Sequence, residues 1–333
     1  VGGGPAADRG HWLTTIAPDR SRGRMRSEQP TVTGLLNLAK PGGMTSFAAI
    51  KVARRALDER HIGHAGTLDP AASGVLPLCV GRATRLVEYI LRQPKTYHAR
   101  LRLGAVSDTG DLEGQVRRSG SAAHLTETDV AAALEQFVGI VQQVPPMHSA
   151  VRHHGRHLYE LARQGLIVER QARPAEIRSI SLRSYVPGEV AEAEVEVVCG
   201  RGTYLRVLAT DLGERLGVGG VLAWLERTEY GPFKISDSIS LEDLMASSDP
   251  RSYLLPPELA LEMVPRIELL PAGALAVQRG QSVWVQRAPE APVDASAQSL
   301  EVRAHGPDGR LVALGEVTGL RFRPTKVLLP ISG

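Results

Sequence analysis

The chain has 333 residues, 43% of them hydrophobic, 23% charged and only 4% aromatic, with a formal net charge of +3. That length predicts about two domains with a real core, and the mild positive balance allows nucleic acid as a partner without demanding it. No apolar run approaches the ~18 residues of a membrane-spanning helix, and the N-terminus lacks a signal-peptide core.

The two cysteines, Cys79 and Cys199, lie far apart in apolar runs. Neither CxxC nor a His/Cys cluster with ligand spacing occurs, so buried free thiols in a reducing cytoplasm are expected and a structural zinc is not. Residues 1–30 hold five arginines (Arg9, Arg20, Arg22, Arg24, Arg26) against three acids and show no apolar periodicity, which predicts a disordered basic tail. Met25 would make a natural beginning of the chain.

Order is expected from "GLLNLAKPGGMTS": a short strand, a Pro-Gly-Gly turn, then a helix "FAAIKVARRAL" capped by Thr45 or Ser46, with Phe47, Ile50, Val52 and Leu57 on its apolar side. "RHIGHAGTLDPAASG" reads as a long glycine-rich loop, "VLPLCVG" as a buried strand and "ATRLVEYIL" as a helix. "TYHARLRLGAVS" alternates as a strand with Tyr97, Ala99, Leu101 and Leu103 on one face. "SDTGDLEG" is an acidic turn; it lacks the full ligand series of a calcium loop. "TETDVAAALEQFVG" predicts a Thr-capped helix, and "VPPMHSAVRHHGRHLYELARQG" a Pro-Pro break followed by a helix. "AEAEVEVVCG" is the clearest strand, and "TYLRVLATDLGERLG" a helix with a glycine stop. Strands and helices without a strict βαβ rhythm predict an α+β domain over about 31–245. A pattern-poor stretch at 246–270 reads as a linker. "ALAVQRGQSVWV", "LEVRAHGPDGRLVALGEV" and "TKVLLP" read as short strands of a small β barrel or sandwich over 271–333.

Asp69 stands alone as a carboxylate among glycines and Pro70. In such a loop it is either a turn residue bonding nearby N–H groups or a carboxylate aimed at a ligand by a rigid, closely approachable backbone. The second use needs a cation to keep it ionised in a dry pocket. Arg206, in the first turns of an otherwise apolar helix, is a candidate cation, or it reaches solvent. Tyr97 and Tyr204 are core residues, or rings that stack on a base. Met147–Arg173 carries Arg152, Arg156, Arg163, Arg170 and Arg173 with four histidines against Glu160 and Glu169. This segment is a solvated helix face or an arm that tracks phosphates. No HExxH, GxGxxG or P-loop spacing occurs, so neither metal, NAD nor ATP is implied.

Six ordered blocks resemble the TruB family of bacterial tRNA pseudouridine synthases: "LLNLAKPGGMTS", "GHAGTLDPAASGVLPLCVGRATRLVEYI", "KTYHARLRLGAVSDTGDLEG", "VPPMHSAVRHHGRHLYELAR", "GRGTYLRVLATDLGERLG" and "LERTEYGPF". They span roughly residues 32–240. Guide-RNA-dependent relatives share "GTLDP", but the "PPxxSA" block and short C-terminal region favour the stand-alone type. The resemblance implies an α+β pseudouridine-synthase domain, a mixed or antiparallel sheet with flanking helices, with an RNA-binding arm near 143–173 and a small C-terminal PUA-like RNA-binding domain. It implies isomerisation of uridine 55 in the T-loop of tRNA without any cofactor. Asp69 would be the catalytic carboxylate, paired with Arg206. Tyr97 would stack on the flipped uracil and is a candidate for the C5 proton. His64 would contact the RNA, and Tyr204 and Leu225 would wall the pocket. Two departures touch the arm: His148 stands for the family's tyrosine, and Arg152 for its lysine, where it could grip a phosphate bidentately.

The implied reaction breaks N1–C1′, turns the base and joins C5 to C1′, with no redox step and no net hydrolysis. One carboxylate suffices, whether it attacks C1′, adds at C6 or takes the 2′ proton. A T-loop uridine must first be extruded, at a cost of a few kcal/mol. Two other readings compete: a carboxylate N-glycosidase, with Asp108 or Asp111 as the second carboxylate, and a non-catalytic RNA-binding or tRNA-folding module. The expected partner is the T-arm of tRNA, met by a monomer with no membrane attachment and no obligatory protein partner.

Overall fold

The computed structural model describes residues 32–149, 151–153, 155–287 and 299–328. The tail expected over 1–30 and His154 of the arm lie outside them. In chain order the strands are β1 (Gly34–Lys40), β2 (Ile62–His64), β3 (Ser73–Val80), β4 (Lys95–Leu103), β5 (Ala105–Ser107), β6 (Val116–Arg118), β7 (Gly139–Gln143), β8 (Arg152–His153), β9 (Arg156–His157), β10 (Arg173–Val186), β11 (Ala191–Cys199), β12 (Gly220–Tyr230), β13 (Phe233–Lys234), β14 (Ile239–Ser240), β15 (Arg266–Glu268), β16 (Val283–Trp284), β17 (Leu300–His305), β18 (Leu311–Thr318) and β19 (Arg321–Val327). The α-helices are α1 (Ser46–Leu57), α2 (Val87–Leu91), α3 (Glu127–Glu135), α4 (Leu158–Arg163), α5 (Leu205–Arg215), α6 (Leu241–Ala246) and α7 (Pro271–Gln278).

The main sheet runs β14-β1-β3-β12-β4-β11-β10-β7, with β2 on β3 and β13 on β12. It is mixed: β14 on β1 and β3 on β12 are parallel, the other pairs antiparallel. Strands β4 and β11 alternate buried and half-exposed residues along their whole length. Their inward residues, Tyr97, Ala99, Leu101 and Leu103 with Ala191, Ala193, Val195 and Val197, meet α1, α3 and α5 in the main core. Period-two burial of this kind is what a sheet covered on one face requires. Residues 300–327 supply three strands of a second, five-stranded sheet, β15-β17-β18-β19-β16, packed on α7 around Val302, Val312, Ala313 and Phe322. The result is the expected α+β sheet domain plus a small C-terminal β unit.

Local caps explain the helix starts. Thr45 accepts the Ala48 N–H at 3.1 Å, and Thr126 and Asp129 close a capping box on α3. Several expectations are corrected. Phe47 is 56% exposed; α1 turns Ala49, Ile50, Ala53 and Leu57 inward instead. The loop begins with a strand, because Ile62–His64 pair with Leu78–Val80. "ATRLVEYIL" is a 3-10 turn, Gly81–Leu86, leading into one and a half turns of α2. "ALAVQ" is not a strand: Pro271 opens helix α7 there, fitting Pro at a first helical turn. Within 246–270, Leu255 exchanges backbone hydrogen bonds with Leu35 at 2.7 and 2.9 Å, and Ala260 and Leu261 are buried.

Candidate active site

The "GHAGTLDP" loop is pinned on two sides. Ser46, 2% exposed at the start of α1, bonds both the Leu68 N–H and the Leu68 carbonyl at 3.0 Å. Gly43 N–H donates to Pro70 O at 2.8 Å, and Ala72 N–H to Asp69 O at 3.1 Å. Lys40 ends β1 on its buried register and is 1% exposed. Its ammonium donates to the carbonyls of Pro41 (2.8 Å), Met44 (2.7 Å) and Pro70 (3.3 Å). Burial pulls the Lys40 pKa down to about 8, while the Asp69 carboxylate works against that fall. One lysine thus ties the Pro-Gly-Gly turn to the residue that follows Asp69.

Asp69 Oδ2 lies 3.0 Å from Arg206 Nε, and Asp111 Oδ2 lies 3.6 Å from the same nitrogen. The Arg206 side chain is 5% exposed, that of Asp69 40%. Arg206 donates its other N–H groups to Thr109 O (3.3 Å) and His148 O (2.8 Å). Every edge of the guanidinium is therefore used, by the loop, the acidic turn and the start of the arm. Asp69 is itself partly buried. That burial raises its pKa above the usual carboxylate value; Arg206 opposes the rise and Asp111 adds to it. The arrangement is an open carboxylate held by a buried arginine whose charge opposes the rise in its pKa.

Tyr97 is 8% exposed on β4, directly opposite Arg227 of β12. Burial raises its phenol pKa, and the positive charge of the Arg227 guanidinium opposes that. Leu225, opposite Ala99 and half-buried, packs on the main core two residues before Arg227. His64 ends β2, half-buried, and its Nδ1 has no hydrogen-bond partner. Burial, then Arg227, lower its pKa, so the ring stays neutral at pH 7. Tyr204 caps α5; its backbone is clamped by Gln143, whose Oε1 accepts the Tyr204 N–H at 2.9 Å and whose Nε2 donates to Tyr204 O at 3.3 Å.

Asp69, Arg206, Tyr97, Tyr204 and His64 thus belong to one neighbourhood. Arg152 stands apart, exposed on the β8–β9 hairpin opposite His157. Three contributors were not singled out in the sequence: Lys40, Gln143 and Arg227. Each is a polar residue at an inward register of a strand, and that misplaced polarity is the signal that marks them. Asp111 is a second carboxylate, but it shares the arginine of Asp69 and is tied down by Thr109 Oγ1 (2.6 Å) and the Glu113 N–H (3.0 Å). Asp108 accepts the Gln115 N–H at 2.8 Å. Among the described residues no group of three or more His, Cys, Asp or Glu side chains could hold a metal ion, and no helix is long and apolar enough to cross a membrane.

Residues 54–205 match the model of the TruB family pseudouridylate synthase N-terminal domain, and residues 206–262 that of the tRNA pseudouridylate synthase B C-terminal domain. The tRNA pseudouridine synthase B of Gloeothece citriformis is 42% identical over 86% of this chain and 92% of that protein. That of Symbiobacterium thermophilum is 48% identical over 75% of this chain and 82% of that protein. Among solved structures, an H/ACA RNP bound to a substrate RNA containing 2′-deoxyuridine aligns with a TM-score of 0.68. It is 25% identical and covers 90% of this chain and 86% of that one. A Cbf5-Nop10-Gar1 complex gives the same score at 26% identity, over 89% and 85%.

Proposed function

From the premise that this chain belongs to the TruB family and is a tRNA pseudouridine synthase, we propose that its target is uridine 55 of the T-loop and that Asp69 is the catalytic carboxylate. The observation that carries this is the Asp69–Arg206 pair: an arginine 5% exposed spends its Nε on a carboxylate that is 40% open. A turn residue has no use for so costly a partner. In this reading Tyr97 stacks on the flipped uracil and its phenol exchanges the C5 proton. Tyr204 and Leu225 wall the pocket, and neutral His64 meets the RNA by stacking and hydrogen bonding. Arg206, which keeps Asp69 charged, also grips His148 O and so joins the pocket to the arm.

Domain roles follow the same reading. Residues 31–245 form the catalytic domain, with 143–173 as an arm over the T-arm and Arg152 as one of its phosphate contacts. Residues 246–270 lead to the C-terminal module, 271–333, which adds RNA-binding surface. The enzyme acts as a cytoplasmic monomer. The shared proton and the turning base need a closed site rather than a cofactor.

Asp69→Asn tests the reading. It is expected to lower conversion of uridine in a T-arm stem-loop by at least ~10³-fold, measured by mass spectrometry after carbodiimide labelling, with RNA affinity nearly unchanged. Wild-type conversion matched by the asparagine variant would sink it.

A further inference from the structure

Arg227 is the largest of the fully buried side chains among the described residues, 1% exposed, and no described acid forms an ion pair with it. An unpaired buried cation costs several kcal/mol, so the fold must compensate for it and has a reason to keep it. Compensation comes from neutral groups. Arg227 Nε donates to Val75 O at 2.7 Å and Nη2 to Gly66 O at 3.1 Å. Its guanidinium lies 4.8 Å from the centre of the Tyr230 ring, a favourable cation–π distance. The strands close tightly to put it there: at Gly74 any Cβ would come 2.2 Å from the Arg227 carbonyl.

Two of these contacts point at the site. Gly66 is in the Asp69 loop, three residues before the carboxylate. Tyr97 is the register partner of Arg227, directly across the β4–β12 pair and on the same face of the sheet. A second buried cation, Lys95, 7% exposed, sits over the same Tyr230 ring at 4.5 Å, again with no ion-pair partner among the described residues. The wall behind Tyr97 is therefore positively charged and dry. The charged and titratable groups around the phenol are Arg227 on β12, Cys199 on β11 and Asp69 in the loop; those around Arg227 include Lys40, His64, Lys95 and Tyr230.

We propose that Arg227 is a positioning residue for the isomerisation, acting through Tyr97: it fixes the phenol oxygen at the pocket and backs it with positive charge. This rests on the roles given above to Asp69 and Tyr97. When N1–C1′ breaks, its electron pair stays on the base, which turns as an anion. C5 then bonds C1′, which leaves the base neutral; the phenol gives its own proton to N1 and, as phenolate, takes the proton from C5. Negative charge thus sits on the base before the C–C bond forms and on the phenol oxygen during the proton exchange, and a fixed guanidinium behind the ring stabilises both without reorganising.

The test is a double-mutant cycle on single-turnover conversion and RNA affinity of a T-arm stem-loop. Arg227→Gln and Arg227→Lys are each made alone and with Tyr97→Phe, and folding is followed by thermal melting. Arg227→Gln is expected to slow conversion by about 30- to 100-fold with RNA affinity within about threefold, and Arg227→Lys to regain at least about fivefold. In the Tyr97→Phe background the same change should cost less than about threefold, because the two residues act as a unit. If Arg227→Gln fails to fold, the lysine variant decides: it should lose activity beside tyrosine and little beside phenylalanine. A full-sized loss in the Tyr97→Phe background, or a loss that falls on RNA affinity, would overturn the proposal. Activity surviving Asp69→Asn would instead overturn the parent reading.

Discussion

The two faces of the central sheet treat charge in opposite ways. On the outer face of β4, β10 and β11 arginines meet acids, three of them across the strands: Arg100 Nη2 reaches Glu194 Oε1 at 2.7 Å, Arg102 Nε reaches Glu192 Oε1 at 2.8 Å, and Arg183 Nη2 reaches Glu196 Oε1 at 2.7 Å. These side chains are about a third to a half exposed. The inner face does not balance its charges in this way. Arg206 serves two carboxylates, while Arg227 and Lys95 have none among the described residues. Charge is neutralised where water makes neutralising nearly irrelevant and left uneven where the interior makes unevenness strong. An outer hollow of about 600 Å³, lined by Thr96, His98, Arg183, Glu194 and Glu196, lies on the other side of the sheet from Tyr97. None of the residues placed around Asp69 lines that hollow.

The sharpest way to break that contrast is Arg206→Gln, with the largest effect expected. It removes the opposing influence on Asp69 and leaves burial and Asp111 to raise the carboxyl pKa further. On the proposed reading Asp69 acts as an anion, so the acid limb of the rate–pH profile should move to higher pH. At neutral pH the conversion rate should fall on the order of 10²- to 10³-fold. Arg206→Lys, which keeps the charge but cannot also hold Thr109 O and His148 O, should fall between. A profile that drops in height without moving along the pH axis would show that Arg206 matters only for packing.

The unevenness was only half legible in the sequence. Asp69 stood out because glycines and Pro70 isolate it, and Arg206 because its helix is otherwise apolar. Arg227 did not, since "LERTEYG" surrounds it with Glu226, Thr228 and Glu229 and reads as a wetted strand. Its burial is made by tertiary neighbours, β3 on one side and β4 on the other. The same cause hid whole elements. Strand β10 is 14 residues long but slips register between Ile177 and Ser179 and again between Leu182 and Ser184, so no clean alternation survives. Lys40 ends a strand whose pattern is dominated by its leucines. In α7 the apolar run "ALAVQ" fits either period, and Pro271 and packing on β18 decide for a helix.

Lys95→Met probes the inner face with a smaller effect of opposite sign. Burial lowers the Lys95 pKa to about 8, below the ~10.4 of an unfolded lysine. Below pH 8 the lysine is charged in both states and the folded chain bears the full desolvation penalty. Between about 8 and ~10.4 the unfolded chain binds more protons, so the wild type gains stability as pH rises. Methionine should therefore stabilise the protein by about 1–2 kcal/mol at pH 7 and by little at pH 10, read from urea unfolding at both. A constant gain would mean that packing, not charge, is what changed.

The smallest effect belongs to the outer ladder, and it decides whether the contrast is one of energy or only of appearance. Glu194 accepts from Arg100 Nε and Nη2 at 3.1 and 2.7 Å, a better geometry than the Asp69–Arg206 pair offers. Judged by contacts alone, Glu194→Gln should then be the costlier change. Judged by surroundings it should cost at most about 1 kcal/mol, because water screens the pair and two long side chains must be ordered to make it. That cost should vanish in 1 M salt, where the screening length is about 3 Å, and uridine conversion should stay within about twofold of wild type. A salt-insensitive loss of stability would show that the outer face holds its charges as firmly as the inner one, and the positive wall behind Tyr97 would lose its special standing.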